Sequence, residues 1–128
     1  MIKLVFMLKR KAGTTPEAFR DHYENVHVPM AQHYIGHLLS EYRRNYPQLA
    51  VRNPSAQGDG PPDAAESPYD AVAEMWLPDE AAVAEMTRIF NDPAISPILN
   101  DDQLKFLEPD QTLMLVCEEV DTGTAAPA

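Results

Sequence analysis

Residues 2–29 have the sequence IKLVFMLKRKAGTTPEAFRDHYENVHVP, which predicts a buried strand, a turn and an amphipathic helix in direct succession. Residues 2–8 are apolar except for Lys3, a pattern typical of a short buried strand. The basic residues that follow, with a glycine close behind, indicate a solvated turn. One face of the next helix then carries three ring side chains at every fourth position: Phe19, Tyr23 and His27.

Both ends of this helix are marked by proline and capping residues. Thr15 as N-cap with Pro16 at the first helical position is one start, and Thr14 with Glu17 as a capping box is the other. The spacing leaves both starts open. At the far end Pro29 disfavours helical backbone at the residue before it, so the helix is expected to stop or kink there.

The rest of the chain shows alternating patterns that predict strands and apolar stripes that predict helices. In chain order we expect a helical piece over 29–38, a strand over 41–46, a strand over 69–77, a helix capped by Asp79, a short helical turn at Ser96 and a strand over 112–120. This order predicts an α+β, ferredoxin-like split βαβ domain, with a four-stranded antiparallel sheet and helices on one of its faces.

The chain of 128 residues is short enough for one domain. We expect a single domain over residues 1–120, a long loop rich in proline and glycine over residues 47–68, and a flexible tail over residues 121–128. A long loop of this kind is often functional, and a lid over a pocket is one possible role.

The first and last predicted strands are apolar on both faces. Helices on one side of the sheet leave the other face uncovered, which predicts a partner sheet. We therefore expect a homodimer in which two sheets pair as a dimeric α/β barrel.

Composition narrows the class of partner and the compartment. The formal net charge of −10 argues against binding to nucleic acid or to an anionic membrane surface, both of which require clustered basic residues. The single cysteine, Cys117, excludes an intrachain disulfide and favours a reducing compartment; in its apolar run we expect a buried thiol. With no signal-peptide pattern and no long apolar segment, a cytoplasmic protein is expected.

The four histidines all lie in the first helical region, and His27 is the main candidate for chemistry. It shares the apolar face of the helix, where partial burial lowers the pKa of an imidazole and favours the neutral, proton-accepting form. A core histidine that is hydrogen-bonded to a backbone carbonyl fits the same pattern. The simplest interpretation of His22 is a residue on the surface of the helix.

His33 and His37 are four residues apart, the spacing of two metal ligands on one helical face. Tyr34 follows His33 where a zincin has its glutamate, so metalloprotease chemistry is not supported. Two exposed histidines explain the spacing as well, and we expect no metal site. No phosphate-binding loop, dinucleotide motif, nucleophile elbow or cysteine pair is present, so no cofactor is expected.

Adjacent carboxylates in the stretch LNDDQLKFL can orient a histidine or hold a proton, and can equally cap a helix or face water. These are Asp101 and Asp102. Trp76 and Tyr69 lie on one predicted strand and can line a pocket for an aromatic substrate, although a core or dimer contact would also place them there.

The chain resembles the EthD family, which is named for a protein of alkyl-ether degradation. The resemblance is carried by Lys9-Arg10-Lys11, Gly13, Glu17, Phe19, His22-Tyr23, His27 and Pro29, and by the segment from Asp101-Asp102 to Phe106-Leu107. It covers most of the chain except residues 47–68, a loop longer than the family usually carries, and the tail. The resemblance implies a dimeric α/β barrel with a cleft between sheet and helices. It matches His27 to the family's histidine and the Asp101-Asp102 pair to its acidic motif.

These observations lead to an enzyme hypothesis. A cofactor-independent lyase, dehydratase, isomerase or cyclase would act on a small oxygenated, aromatic or cyclic molecule. The catalytic candidates are His27, Asp101 and Asp102, and the substrate-binding candidates are His22, Tyr23, Tyr34, Trp76 and Phe106. A cofactor-free monooxygenase of the same barrel superfamily, or a non-catalytic carrier of a hydrophobic metabolite, are the alternatives.

Overall fold

The structure is a computed structural model that describes residues 1–51, 64–65 and 67–128, with the backbone alone for residues 64–65. Its elements follow in this order: β1 (Ile2–Leu8), α1 (Pro16–His22), a π-helical turn (Tyr23–His27), α2 (Val28–Ile35), a 3₁₀ turn (Gly36–Leu38), β2 (Glu41–Asn45), β3 (Ala50–Val51), β4 (Ala64–Ala65), β5 (Ala71–Leu77), α3 (Glu80–Phe90), α4 (Ser96–Phe106), a second 3₁₀ turn (Pro109–Gln111) and β6 (Leu113–Glu118).

Four strands form one antiparallel sheet in the order β2-β5-β1-β6. Strands β1 and β5 pair in its centre, where Leu4 lies opposite Met75, and β6 pairs with the other side of β1. This is the order of a ferredoxin-like split βαβ fold, so the predicted fold class is confirmed. Among the described residues, no helix is both long and apolar enough to cross a bilayer.

The region predicted as a loop over residues 47–68 contains one short pair of strands, β3 and β4, apart from the main sheet. The described part of the predicted loop therefore includes two paired residues on each side. Residues 52–63 and 66 lie outside the described residues. The tail over residues 121–128 is exposed and contains no helix or strand.

The start of the first helix is decided by a capping hydrogen bond. The Thr15 side chain accepts from the backbone N–H of Ala18 at 3.1 Å, and Pro16 takes the first helical position. A proline suits this position because its missing N–H would have no helical partner there.

Helix α1 ends at His22, and the helical path does not stop before Pro29 but continues through a π-turn into α2, an irregularity of the kind at which helices kink. In this turn the backbone N–H of Val28 donates to the carbonyl of Tyr23, five residues back. Pro29 then falls in the first turn of α2, where a missing N–H is tolerated. The π-turn therefore accommodates the proline without ending the helix.

Helix α4 was predicted as a short turn and has 11 residues. Its inward face carries Leu99, Asp102 and Phe106 at helical spacing. The carboxylate in the middle of this face breaks the apolar stripe, which is why the sequence pattern underestimated the helix.

The helices cover one face of the sheet and enclose two apolar clusters. The first surrounds Phe19, Tyr23 and Phe106, against Ala71 and Ala73 of the central strand β5. The second contains Leu4, Ile35, Met75, Leu77, Ala82, Met86 and Ile89. The first cluster forms the wall against which the candidate site is built.

The basic turn after β1 is less solvated than the sequence indicated. Lys9 and Arg10 are half-buried. The carboxylate of Asp70 accepts from the backbone N–H of Arg10 at 2.8 Å and from its Nε at 3.1 Å. Arg10 also forms an isolated bridge with Leu107, which ties the turn to the end of α4.

Candidate active site

The π-turn places two histidines on the same side of the first helical region. Residues five apart in an α-helix lie about 140° apart around the axis, too far to share one small partner. A π-turn has hydrogen bonds between residues five apart, which brings such residues nearly above one another. His22 precedes this turn and His27 is its last residue, and both reach the same carboxylate.

That carboxylate belongs to Asp102, a polar residue of the core that is only 2% exposed. Nε2 of His22 lies 2.9 Å from Oδ1, and Nδ1 of His27 lies 2.8 Å from Oδ2. A buried carboxylate is costly unless its oxygens accept hydrogen bonds, and here each oxygen has one imidazole donor. Asp101, one residue earlier on α4, is exposed and points away.

These bonds define the tautomers of the two rings. An ionised carboxylate only accepts, so each imidazole donates the N–H that faces it. His27 therefore carries its proton on Nδ1 and presents the lone pair of Nε2 at the opposite ring edge. His27 lines a cavity and Asp102 does not. Nδ1 is bonded to Asp102 and Nε2 has no hydrogen-bond partner among the described residues, so Nε2 is the ring nitrogen left for a bound molecule.

Burial lowers the pKa of His27 below its ordinary value, and the nearby His22 acts in the same direction. The hydrogen bond and the negative charge of Asp102 oppose this effect without reversing it. His27 is therefore mainly neutral near pH 7 and can accept a proton.

Aromatic packing fixes the two imidazoles in place. The ring centroids of His22 and His27 each lie 5.0 Å from that of Phe106, a side chain 1% exposed. Phe106 in turn stacks on Tyr23 at 5.7 Å. Rotation of either histidine away from Asp102 would disturb this packing.

The cavity beside His27 has a volume of about 220 Å³ and lies between the sheet and the helices. Its wall is mainly apolar, with Phe6 and Leu8 from β1 and Phe106 from α4. Six of its lining residues have polar side-chain atoms: Tyr23, His27, Tyr42, Asn100, Gln103 and Thr112. An apolar cavity with a few polar groups is the usual form of a small-molecule site.

Two tyrosines meet at this wall. The hydroxyls of Tyr23 and Tyr42 are 3.3 Å apart. Burial is the main cause that raises the pKa of both phenols, so both are neutral at ordinary pH. Behind Tyr42 the Arg44 guanidinium lies 4.7 Å from the centre of its ring.

Arg44 is held by Glu24, whose carboxylate accepts from its Nε at 3.0 Å and from its Nη2 at 2.8 Å. The hydroxyl of Tyr46 donates to the same carboxylate. These partners lower the pKa of Glu24, with Arg44 as the leading cause. This ion pair joins the π-turn to β2 and supports the tyrosine side of the cavity.

The structure brings together only part of the predicted site. His22, His27, Asp102, Tyr23 and Phe106 form one cluster, although the sequence placed His22 in the binding group rather than beside the carboxylate. Their roles in binding or catalysis stay predictions.

Two predicted binding residues lie away from the cavity. Trp76 lies on the face of the sheet opposite the helices, because neighbouring strand positions point to opposite faces. There its Nε1 donates to Glu119 at 2.9 Å, and the ammonium of Lys3 lies 4.6 Å from its ring centre. Tyr34 packs on the second apolar cluster instead. Cys117, expected to be buried, is half-buried on the same outer face as Trp76.

His33 and His37 are both exposed. Within the part of the chain that the structure describes, no group of three or more histidine, cysteine or acidic side chains has the arrangement to hold a metal ion.

The sequence analysis missed Tyr42 as a cavity residue. The alternation of Tyr42, Arg44 and Tyr46 on one side of β2 was the available signal. It did not show that this side faces the helices rather than solvent.

A larger, open groove of about 470 Å³ lies between the start of α1 and residues 46–50 and 67–70. Its charged lining includes Arg10 and Asp70, which are paired with each other. It contains neither His27 nor Asp102, so the smaller cavity is the better candidate for chemistry.

Fold and site together define a ferredoxin-like α+β protein with a histidine–aspartate pair at an enclosed pocket. The family model of the EthD domain matches residues 11–110, and the chain belongs to this family. EthD and related proteins are commonly small-molecule enzymes or binding proteins. None of the curated proteins matches this sequence.

Solved structures with the same fold include an EthD-family protein from Bacillus halodurans C-125, 20% identical, with a TM-score of 0.61 over 94% of this chain and 99% of that chain. HapK from Hahella chejuensis is 17% identical, with a TM-score of 0.59 over 99% of this chain and 100% of that chain. A Dabb-family protein with a ferredoxin-like fold from Mesorhizobium loti is 15% identical, with a TM-score of 0.51 over 94% and 97% of the two chains. At these identities the likeness concerns the fold alone.

Proposed function

We propose that this protein is an enzyme that moves a proton on a small, oxygenated, single-ring organic molecule, with His27 as the general acid and base. The observation that carries the proposal is the 2.8 Å bond between His27 Nδ1 and Asp102 Oδ2, in a histidine that lines the cavity. A base of this kind takes a proton from a carbon next to a carbonyl and returns it elsewhere, which serves lyase, dehydratase, isomerase and cyclase reactions. Such a step needs no cofactor.

Asp102 has a positioning role in this proposal. It holds His27 in the tautomer with a free Nε2 and stabilises the imidazolium that forms when Nε2 takes a proton. His22 occupies the second carboxylate oxygen, so that Asp102 has a donor on each side.

The size of the cavity supports a small substrate. Its volume of about 220 Å³ is below the range of roughly 300–1,000 Å³ that is usual for drug-sized ligands. A single ring with one or two oxygen substituents suits this space and its apolar wall.

Deuterium exchange tests the proposal directly. Single-ring ketones, 1,3-diketones and lactones are incubated with the protein in D₂O, and loss of the α-proton signals is followed by NMR. We expect catalysed exchange that falls about 10²-fold or more in His27→Gln and stays unchanged in His33→Gln, which alters an exposed histidine of the same helical region. Equal rates in both variants would refute the role of His27.

The same assays separate the other function classes. Oxygen consumption coupled to turnover would indicate a cofactor-free monooxygenase. Stable binding of a ring compound that survives His27→Gln, without exchange or product, would indicate a carrier protein.

We further propose that a second copy of this chain covers the outer face of the sheet. On this face, edge strand β6 leaves Leu113 49% exposed and Leu115 46% exposed. The outer face continues through Val5 and Met7, which are half-buried. A long apolar edge strand normally needs a cover, and a second sheet of the same pattern fits it.

Native mass spectrometry across a concentration series tests the homodimer. We expect a dimer for the wild-type protein and a monomer for Leu115→Lys. Leu104→Lys, which changes an exposed leucine of α4, is the matched control and should remain dimeric. A wild-type monomer at micromolar concentration would contradict the proposal.

A further inference from the structure

Two tyrosines from different parts of the fold line the candidate cavity, and their hydroxyls lie next to each other. Tyr23 comes from the π-turn and Tyr42 from β2, and both line the cavity together with His27. Their oxygens are 3.3 Å apart. The helix layer and the sheet thus place two O–H groups at one point.

This pair has spare hydrogen-bonding capacity. Two hydroxyls supply two hydrogens, and their mutual bond uses one of them. Among the described residues neither hydroxyl has a second hydrogen-bond partner. The oxygen separation is also longer than the 2.7–2.8 Å that is typical of O–H···O bonds, so the mutual bond is weak. An oxygen atom that bears negative charge would be a stronger acceptor for both hydroxyls than either hydroxyl is for the other.

The surroundings keep both groups as donors. Burial raises the pKa of each phenol, so neither loses its hydrogen near neutral pH. The nearest cation, Arg44, is held by two bonds to Glu24 and does not compete for a ligand oxygen.

We propose that the hydroxyls of Tyr23 and Tyr42 bind the carbonyl oxygen of the substrate and stabilise the enolate formed from it. This inference rests on the proposed function, and it assigns the groups that bind the carbonyl oxygen of a substrate with a removable α-proton. The step balances within the site. Nε2 of His27 takes the α-proton, the C–H electron pair becomes the carbon–carbon double bond of the enolate, and the carbonyl π-electrons move to the oxygen held by the two phenols. Return of the proton from His27 restores a carbonyl compound.

Oxyanion donors are among the strongest contributors to catalysis because they face charge that develops only in the transition state. Two preorganised donors in an apolar wall suit this role better than one, since each forms a charge-assisted bond in a poorly solvated space. Tyr23 and Tyr42 would then be catalytic residues that contact the reacting oxygen.

The test uses 4-nitrophenol, whose anion has the charge and shape of a single-ring enolate, and 4-nitrotoluene, its neutral counterpart. Absorbance and fluorescence titrations give the affinity of each for the full-length protein. We expect the wild-type protein to prefer the anion. Tyr42→Phe and Tyr23→Phe should each weaken anion binding by about tenfold or more, while 4-nitrotoluene binding stays within a factor of about two.

Tyr46→Phe is the matched control, because it removes a phenol hydroxyl of the same aromatic cluster that is bonded to Glu24 rather than lining the cavity. It should leave anion binding unchanged. Circular dichroism and thermal melting establish that each variant is folded; if Tyr23→Phe is not, Tyr42→Phe carries the test. Equal affinity of the wild-type protein for both ligands, no binding of the anion, or equal weakening of both ligands in Tyr42→Phe would overturn the proposal.

The two proposals fail separately. Anion preference that persists in His27→Gln, with no α-proton exchange in the wild-type protein, would keep the oxyanion site and remove the base. Exchange that depends on His27 but is unaffected by Tyr42→Phe would keep His27 as the base and remove the oxyanion site.

Discussion

Asp102 Oδ2 lies 2.8 Å from Nδ1 of His27, across 75 residues of sequence, and joins the first helical region to α4. The carboxylate is 2% exposed, so this bond is protected from water and competes with few alternatives. It orients the imidazole and holds α4 against the first helical region. The stability of the fold and the protonation of the candidate base are therefore expected to change together.

Asp102→Asn tests both effects in one variant. Its amide nitrogen donates rather than accepts, so one imidazole must change tautomer or lose its partner. We expect His27-dependent exchange to fall about 10²-fold or more, and the free energy of unfolding to fall by about 1–3 kcal/mol. Kinetics and urea denaturation measure the two changes. Asp101→Asn, on the exposed side of α4, should alter neither the exchange rate nor the stability. A loss of exchange in that variant would show that Asp101 is needed and would contradict the role given to Asp102.

Stability should decrease as the pH falls below the ordinary histidine pKa of about 6.5. The pKa of His27 is lowered in the folded state, so the unfolded chain takes up its proton first and gains free energy relative to the folded protein. This contribution is present above about pH 6.5 and is lost as the pH falls towards the folded-state pKa. Urea denaturation of the wild-type protein and His27→Gln at about pH 7.5 and about pH 5.5 measures it. The variant should lose less stability on acidification, and an equal loss would contradict the shift.

The ion pair of Glu24 and Arg44 should contribute measurably to stability. Its side chains are 28% and 22% exposed, and Tyr46 adds a third hydrogen bond to the carboxylate. We expect Glu24→Gln to cost about 1–2 kcal/mol. Because the pKa of Glu24 is lowered, the difference between wild type and variant should be present at neutral pH and disappear as the pH falls below about 4.5.

The matched control for this pair is Glu85→Gln. Glu85 pairs with Arg88 three residues later on α3, but both side chains are exposed. Solvent screening makes such pairs weak, so the unfolding midpoint should not change. Similar losses in the two variants would show that burial of the Glu24 pair has no effect.

Phe106 should be among the most sensitive core positions. Its ring is 1% exposed and contacts Phe19 and Tyr23 at centroid distances of 5.8 and 5.7 Å. Phe106→Ala leaves a cavity and removes the support of both histidines, with an expected loss of about 3–5 kcal/mol. Leu104→Ala on the exposed side of the same helix should cost little. Chemical denaturation compares the two, and a loss below about 1 kcal/mol for Phe106→Ala would show that the cluster repacks.

Strands β1, β2, β5 and β6 were predictable because their patterns are local. A run of apolar residues ended by a basic turn, or an alternating run ended by proline, is encoded within a few neighbouring residues. The length of α4 was not predictable, because its buried face contains Asp102 in place of an apolar side chain. The buried carboxylate of Asp102 is tolerated because His22 and His27, from a distant part of the sequence, form hydrogen bonds with it.

In the candidate site, too, local patterns were predictable and contacts between distant segments were not. Helical spacing singled out His27, and the resemblance to the EthD family drew attention to the two neighbouring aspartates. Which aspartate is buried depended on the rotation of α4 about its axis, and the assignment of Trp76 depended on which face of the sheet the helices cover. The place of Tyr42 at the cavity also depended on which face the helices cover. The alternation along its strand does not show which side points inward.

The sequence by itself determined the order of strands and helices, the family, and the helix that carries His27, because local periodicity, capping residues and motif spacing are properties of neighbouring positions. Only the tertiary structure decided that His22 and His27 share Asp102, that the helix continues past Pro29 through a π-turn, and that two phenols meet beside the imidazole. These relationships join residues that are distant in sequence, and they depend on how whole elements pack against one another.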